Sequence, residues 1–312
     1  MRRAIVTGSA GFVGSAVVRE LLSNQTEVWA VVRPGFSGRV KGSRLDGLDV
    51  RLIECGLREI STLPSMIDER GFDVWYQFAW DGLFGADLLD YHRQIANIEW
   101  VLDAICAAKE LGCGKFVGSG SITQYELGVK EGHGDPGDKH RIYKTAKLAC
   151  EYMGKSTASS VGIQFIWPII TNIYGVGERS PRLINSMIRN LQAGKRQSLS
   201  EGKQYYDFIY ITDAAKAFRL IGERGKENRT YVIASGRVQP LKNFLTVVRD
   251  IVAPEAELGF GELAFNGIYL PAEAYSIAQL SEDTGFSPDV TFAEGIRRTA
   301  QWIRRTDGGR GD

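Results

Sequence analysis

The chain has 312 residues, 44% of them hydrophobic, with 38 Lys and Arg against 37 Asp and Glu. That length suits one large domain or two smaller ones around a sizeable core. A formal net charge of +1 gives no footing for nucleic acid or an anionic membrane as partner, and no apolar run is long enough to cross a bilayer.

Residues 2–7, RRAIVT, read as a short buried strand and not as the start of a signal peptide. The stretch VTGSAGFVGS follows, with Gly8, Gly11 and Gly14 at every third position. Residues 12–22 then place Phe12, Ala16, Val17 and Leu21 on one helical face. The glycines therefore fall in a strand-to-helix turn. Gly8 is free to take a positive φ, Gly11 lets a ligand approach the backbone, and Gly14 lets the helix pack close to the sheet. The first N–H groups of the helix face outward and favour a phosphate. Such a turn holds a dinucleotide; a glycine-rich turn without a ligand is the plainer alternative.

Further strands are expected at 27–33, 50–55, 73–80, 115–120 and 161–169, with long helices at 86–111 and 141–160. This alternation implies an α/β fold with a doubly wound parallel sheet (Rossmann) and a ligand crevice at the carboxyl ends of its strands. Past residue 170 the rhythm changes: a helix at 181–193, a polar patch at 197–204, a strand at 205–211, a helix from about 213 and a strand at 230–234. Residues 1–170 are expected to form the dinucleotide-binding domain, its sheet completed by about 205–235. Residues 171–204 and 236–305 are expected to form a smaller, mixed substrate lobe, with a disordered tail at 306–312.

Cys55, Cys106, Cys113 and Cys150 form no CxxC pair; Cys106 and Cys150 lie in apolar helical stretches and read as core residues of a reducing compartment. His92, His133 and His140 lack metal-ligand spacing, so no metal is expected. A cytoplasmic location is the default expectation.

Two stretches offer chemistry. Of the 12 tyrosines, Tyr143 alone has a lysine, Lys147, four residues later, on the same face of a helix. A neighbouring ammonium favours the phenolate, and a phenol so tuned exchanges a proton with a hydroxyl or carbonyl. GSGSITQY (118–125) offers the hydroxyls of Ser119, Ser121 and Thr123 where the fifth strand ends. An exposed Tyr–Lys pair and a serine-bearing turn are the bland alternatives.

Together, Gly8-x-x-Gly11-x-x-Gly14, the serine-bearing fifth strand and Tyr143-x-x-x-Lys147 resemble the extended short-chain dehydrogenase/reductase family. NIYG (172–175), DFIYITDAAKA (207–217) and GFSPDVTFAEGIRRTAQWIR (285–304) resemble its later segments, so the likeness spans nearly the whole chain. Many members are nucleotide-sugar epimerases, dehydratases or ketoreductases. The resemblance implies that Gly8, Gly11, Phe12, Val13 and Gly14 hold the cofactor pyrophosphate. It makes Tyr143 the acid/base and gives Lys147 the nicotinamide ribose. Phe78, Ala79 and Trp80 would line the cofactor, and Asn97 matches an asparagine of the following helix. Alignment on Tyr125 makes Ser121 the polarising hydroxyl, and Trp80, Thr123 and Asn172 would face the substrate.

The second strand ends in VVRPG, with Arg33 where an NAD site carries a carboxylate and with Arg39 and Lys41 close behind. A guanidinium suits a 2′-phosphate, so NADP(H) is the expected cofactor, with NAD(H) as the alternative. The family's acid near the adenine falls on Gly56. The acidic pair of its dehydratases falls on Ile122 and Thr123, so dehydration is not expected.

The leading expectation is NADP(H)-dependent reduction of a keto group on a nucleotide-linked (deoxy)sugar. The alternatives are a nucleotide-sugar epimerase, such as a C4 epimerase, a reductase of small aldehydes or ketones, and a non-catalytic dinucleotide-binding protein. A family arginine that grips the diphosphate is Tyr206 here, and a second is missing near 265–271; Lys203, Arg179 or Arg182 are the substitutes. A homodimer through the two long helices is expected, with Ile95, Ile98, Val101, Leu102 and Ile105 making the first of them apolar.

Overall fold

A computed structural model describes residues 1–128, 140–265 and 267–307. His133 and residues 308–312 of the expected tail lie outside the described residues. In chain order the strands are β1 (Arg3–Thr7), β2 (Glu27–Val32), β3 (Arg51–Glu54), β4 (Val74–Gln77), β5 (Lys115–Val117), β6 (Gly120–Ser121), β7 (Gln164–Ile166), β8 (Ile169–Ile170), β9 (Asn172–Tyr174), β10 (Gln197–Leu199), β11 (Tyr205–Tyr206) and β12 (Phe208–Tyr210). The helices used below are α1 (Phe12–Ser23), α2 (Tyr91–Glu110), α3 (Arg141–Val161), α4 (Leu183–Gln192), α5 (Ile211–Arg224), α6 (Leu241–Val252), α7 (Ala278–Thr284) and α8 (Phe292–Asp307).

The chain divides into two compact units, one of Met1–Ile170, Ala215–Val232 and Ala278–Phe286, the other of Thr171–Ala214, Ile233–Ile277 and the residues from Ser287 on. The first holds a six-stranded sheet in the order β3-β2-β1-β4-β5-β7, parallel at every pairing. Its middle strand explains itself: Ala4, Ile5 and Val6 are wholly buried, as a strand covered on both faces requires. On α1 the buried face is Gly14, Val17, Val18 and Leu21, while Phe12 and Ala16 are only half-buried, a rotation from the expected stripe that brings Gly14 inward. Lys115 of β5 is buried, and its ammonium donates to the carbonyls of Gly222 and Gly225 at 2.9 Å each. It thereby satisfies carbonyls where α5 ends.

Several expected elements shift. The fifth strand breaks after Val117 and resumes as β6, and the sixth breaks at Trp167 and Pro168 between β7 and β8. Residues 205–210 do not complete the large sheet: β11 pairs with 239–240 and β12 with β9, all inside the second unit. Cys106 is exposed on α2, against the expectation of a core residue, while Cys55, Cys113 and Cys150 are buried.

In the second unit the acids of the DFIYITD stretch clamp backbone. Asp207 is fully buried and accepts from the N–H groups of Ser235 (2.6 Å) and Arg237 (2.9 Å) and from the Ser235 hydroxyl (3.0 Å). Asp213 accepts from the N–H groups of Asp289 and Val290 at 3.1 and 3.0 Å. Phe208, Phe244 and Phe292 form the aromatic centre of this unit. Among the described residues, no helix is long and apolar enough to cross a membrane.

Candidate active site

The glycine turn sits where β1 ends between β2 and β4. Gly8 has φ +63°, and a Cβ on it would stand 2.7 Å from the Ala79 nitrogen. The Thr7 hydroxyl accepts from the N–H groups of Phe78 and Ala79 at 3.2 Å each, which joins the ends of β1 and β4. A Cβ on Gly14 would lie 2.3 Å from the Gly8 carbonyl oxygen, so Gly14 serves the turn itself as well as helix packing. Gly11 caps α1 without a side-chain acceptor, which leaves the first-turn N–H groups of Phe12, Val13 and Gly14 to meet a ligand. This cradle, which a Cβ at either end would fill, fits a pyrophosphate at a helix start.

Arg33 is exposed at the end of β2. A carboxylate nevertheless reaches this strand end from the neighbouring strand. Glu54, which closes β3, reaches the same turn and accepts from the N–H groups of Gly35 (2.8 Å) and Ser37 (2.6 Å). Hydrogen bonds from Ser37 and Gly35 hold its carboxyl down to about 2. Parallel pairing of β2 with β3, in which Val32 meets Glu54, puts the two strand ends side by side.

After β4, Phe78 packs edge-on against Phe218. Asn97 is buried on α2 and spends its amide on the chain. It accepts from the Asp81 N–H at 2.8 Å and donates to the carbonyls of Asp81 (2.7 Å) and Arg93 (3.0 Å). It therefore fixes the loop that carries Ala79 and Trp80.

Tyr143 and Lys147 share a face of α3, Tyr143 half-buried and Lys147 3% exposed. The Lys147 ammonium donates to the Ser119 carbonyl at 2.8 Å and lies 5.8 Å from the centre of the Tyr143 ring. Burial brings it down to about 7, far below the ordinary lysine range. The Trp80 indole stands edge-on to Tyr143 at 5.9 Å, and the ammonium lies 3.5 Å above the Trp80 ring. Ser121 begins the 3₁₀ turn Ile122–Leu127, and its hydroxyl is 2.9 Å from that of Thr123. Gln124 accepts from the Ser121 N–H (2.8 Å) and the Trp167 indole N–H (3.2 Å) and donates to Glu151 (3.1 Å). Glycine at 118 and 120 is required by Trp167: a Cβ on Gly118 would meet its ring at 2.0 Å, and one on Gly120 its nitrogen at 2.8 Å.

The first unit thus brings Trp80, Tyr143, Lys147 and the Ser119–Thr123 turn together. Asn172 belongs to the second unit, where it donates to the Asp207 carbonyl at 3.1 Å. Of the substitutes for a diphosphate arginine, Lys203 is paired with Glu201 (2.7 Å) and Arg182 with Glu178 (3.7 Å). Arg179 instead lines a cavity of about 460 Å³ with Arg189, Ser186 and Trp302. Sequence reasoning missed Trp167, Gln124 and Glu54. For the first two, the alternate glycines of GSGS were the available signal, since they leave room for a ring.

The family model described as NAD dependent epimerase/dehydratase matches residues 4–234. A dTDP-glucose 4,6-dehydratase of Neisseria meningitidis is 22% identical, over 97% of this chain and 93% of its own length. A dTDP-4-dehydro-6-deoxy-D-allose reductase of Streptomyces bikiniensis is 25% identical, over 97% and 96%. The crystal structure of a UDP-glucose 4-epimerase from Thermotoga maritima, with UDP-glucose, superposes with a TM-score of 0.79 at 20% identity, over 97% of this chain and 99% of that one.

These relatives overturn the expectation against dehydration, because proteins named as dTDP-glucose 4,6-dehydratases from several organisms match almost the full chain. The expectation rested on Ile122 and Thr123 alone. The fold brings Glu151 to Gln124 in the same turn, and Glu126 lies two residues further on, so two sequence positions do not decide which acids stand near the site.

Proposed function

Given that the chain belongs to the NAD dependent epimerase/dehydratase family, within the extended short-chain dehydrogenases/reductases, we propose that it interconverts an alcohol and a ketone on a nucleotide-linked sugar, with Tyr143 as the proton-exchanging group. The observation that carries this reading is the placement of Tyr143 beside a buried lysine whose ammonium is tied to the Ser119 turn. The names of the three relatives share one feature, chemistry at carbon 4 of a hexose, and carbon 4 is our choice of reacting position.

A bound nicotinamide supplies or accepts the hydride. Everything else falls to the chain. The first turn of α1 and the cradle of Gly8, Gly11 and Gly14 hold the pyrophosphate, with Phe12 and Val13 in that turn. Phe78, Ala79 and Trp80 line the far side, on a loop fixed by Asn97. In the reducing direction Tyr143 gives its hydroxyl proton to the carbonyl oxygen, and the Lys147 ammonium stabilises the phenolate left behind. In the oxidising direction the same phenolate takes the proton back. The Ser121 hydroxyl, with Thr123 beside it, polarises the reacting oxygen. Asn172 contacts substrate, and Arg179 with Arg189 is our candidate grip for a diphosphate.

Net reduction with NADPH is the form we favour, because Arg33 is exposed at the end of β2, where a 2′-phosphate is read. The homodimer we propose uses α2 and α3, where Ile95 and Met153 are exposed, whereas Val101 and Ile105 face the core. The decisive assay supplies NADPH or NADH with dTDP- and UDP-linked 4-keto and 4-hydroxy hexoses, following nicotinamide absorbance and identifying the sugar product. Reduction, epimerisation and dehydration give different products. Tyr143→Phe should lower turnover ~10²–10⁴-fold without weakening cofactor binding; an unchanged rate removes Tyr143 from the reaction.

A further inference from the structure

The environment of Lys147 is aromatic. Its ammonium lies 3.5 Å above the Trp80 ring and 5.7 and 5.8 Å from the ring centres of Trp167 and Tyr143. Its one hydrogen-bond acceptor among the described residues is the Ser119 carbonyl. Among the described residues, acids on the neighbouring stretches are paired elsewhere: Glu126 with Lys144 (2.5 Å), Glu151 with Gln124 and Lys155 (3.1 Å each), and Asp81 with Arg93 (3.3 Å). Cys150, one turn along α3, is a buried thiol pushed up to about 12, so it carries no charge near neutrality. A buried ammonium that forms no ion pair with any carboxylate among the described residues would ordinarily give up its proton.

We propose that the Trp80 indole is a positioning residue for the Tyr143–Lys147 pair: its ring face, with the Trp167 ring further off, favours the charged form of Lys147 and holds the ammonium beside the phenol. The inference deepens the reading of Tyr143 and Lys147 as an acid/base pair and rests on it. The physics is the attraction of a cation to the negative face of an indole, which is strongest where water is excluded. Each indole is anchored at its nitrogen, Trp80 to the Gln94 side chain at 3.1 Å and Trp167 to Gln124 at 3.2 Å, so each ring is held in place over or beside the ammonium. The pair then needs no buried carboxylate, which would compete with the phenolate for the same ammonium.

The test reads Lys147 directly in the cofactor-free protein, from the pH titration of its ¹³Cε resonance, assigned by its loss in Lys147→Arg. Trp80→Leu should lower the lysine pKa by about one unit, and Trp80→Phe, which keeps a weaker ring face, by less. Trp167→Phe, more distant, should move it least. The same order should appear in the pH dependence of kcat/KM. A pKa that stays put in Trp80→Leu, or rises as water enters, overturns the proposal. If Trp80→Leu does not fold, the comparison of Trp80→Phe with Trp167→Phe carries the test, and equal pKa values in the wild type and both variants overturn it. The titration needs neither substrate nor turnover. A failure of the assigned reaction would therefore show as lost Tyr143 dependence with the pKa order intact, and a failure of this inference as the reverse.

Discussion

The Lys147 ammonium and the Ser119 carbonyl, 2.8 Å apart, join the helix that carries Tyr143 to the turn that carries Ser121. The bond keeps a cation inside the protein, and the consequence for stability has a definite sign. Lys147 titrates at about 7 in the fold and near ~10.4 in the unfolded chain. Below about 7 both states hold the proton and the fold bears the full penalty of burying it. Between the two values the unfolded state alone holds it, so stability rises with pH, by up to about 1.4 kcal/mol per unit. Lys147→Met should remove that rise. Denaturant melts of both proteins from pH 6.5 to 9 provide the comparison, and parallel curves would show that Lys147 does not titrate in this window.

Gly14 and Gly8 make a second prediction. A Cβ at position 14 would meet a backbone oxygen at 2.3 Å, and a backbone atom has no rotamer by which to yield. Gly14→Ala should therefore force the turn open, destabilise the protein by about 1–3 kcal/mol and weaken dinucleotide binding. Gly11→Ala, whose Cβ would stand 3.0 Å from the same oxygen, should do less. Melting temperatures and cofactor titrations of the two variants give the order; equal effects would mean that the close approach does not limit the turn.

What could be read before the fold was known follows a physical divide. Short-range pattern and glycine spacing locate β1, α1, the Tyr143–Lys147 face and the parallel sheet, because each depends on residues within two helical turns or on strand burial. The misreadings concern residues whose partners are far away in sequence. Glu54 acts on a turn nearly twenty residues earlier, an outcome of strand register. Likewise the bonds of Asn97 to Asp81, sixteen residues back, are not visible in the spacing. The breaks in the fifth and sixth strands follow from Trp167 needing the space of Gly118 and Gly120, a packing fact invisible to periodicity.

Asp207 yields a prediction for the second unit. Its carboxylate gathers two backbone N–H groups and one hydroxyl in a fully buried place. Burial raises its pKa, and the hydrogen bonds from Ser235 and Arg237 oppose that rise. Asp207→Asn keeps the shape but turns an acceptor into a donor facing donors, so at least one N–H loses its partner. A loss of about 1–3 kcal/mol is expected, measured by urea denaturation. Asp207→Ala should cost at least as much, and a neutral result for both would mean that water replaces the carboxylate.

Arg33 and Glu54 stand at the neighbouring ends of β2 and β3, and under the proposed cofactor reading their variants should separate. Arg33 is exposed; if it is the proposed 2′-phosphate contact, Arg33→Ala should weaken NADPH about tenfold or more while leaving NADH almost unchanged. Glu54 instead shapes the turn through Gly35 and Ser37. Its folded pKa of about 2 lies below the ordinary carboxyl value, so its stabilising contribution is fully present above about 4.5 and is lost progressively as pH falls from there through about 2. Glu54→Gln keeps one acceptor oxygen but drops the charge. It should loosen the turn, weaken both cofactors together, and ease the repulsion felt by a 2′-phosphate, so that NADPH suffers less than NADH. Fluorescence titrations of the wild type and the two variants with each nucleotide give four ratios. Tighter NADH than NADPH binding by the wild type, or an Arg33→Ala protein whose NADPH affinity is unchanged, would refute the assignment of Arg33 to the phosphate.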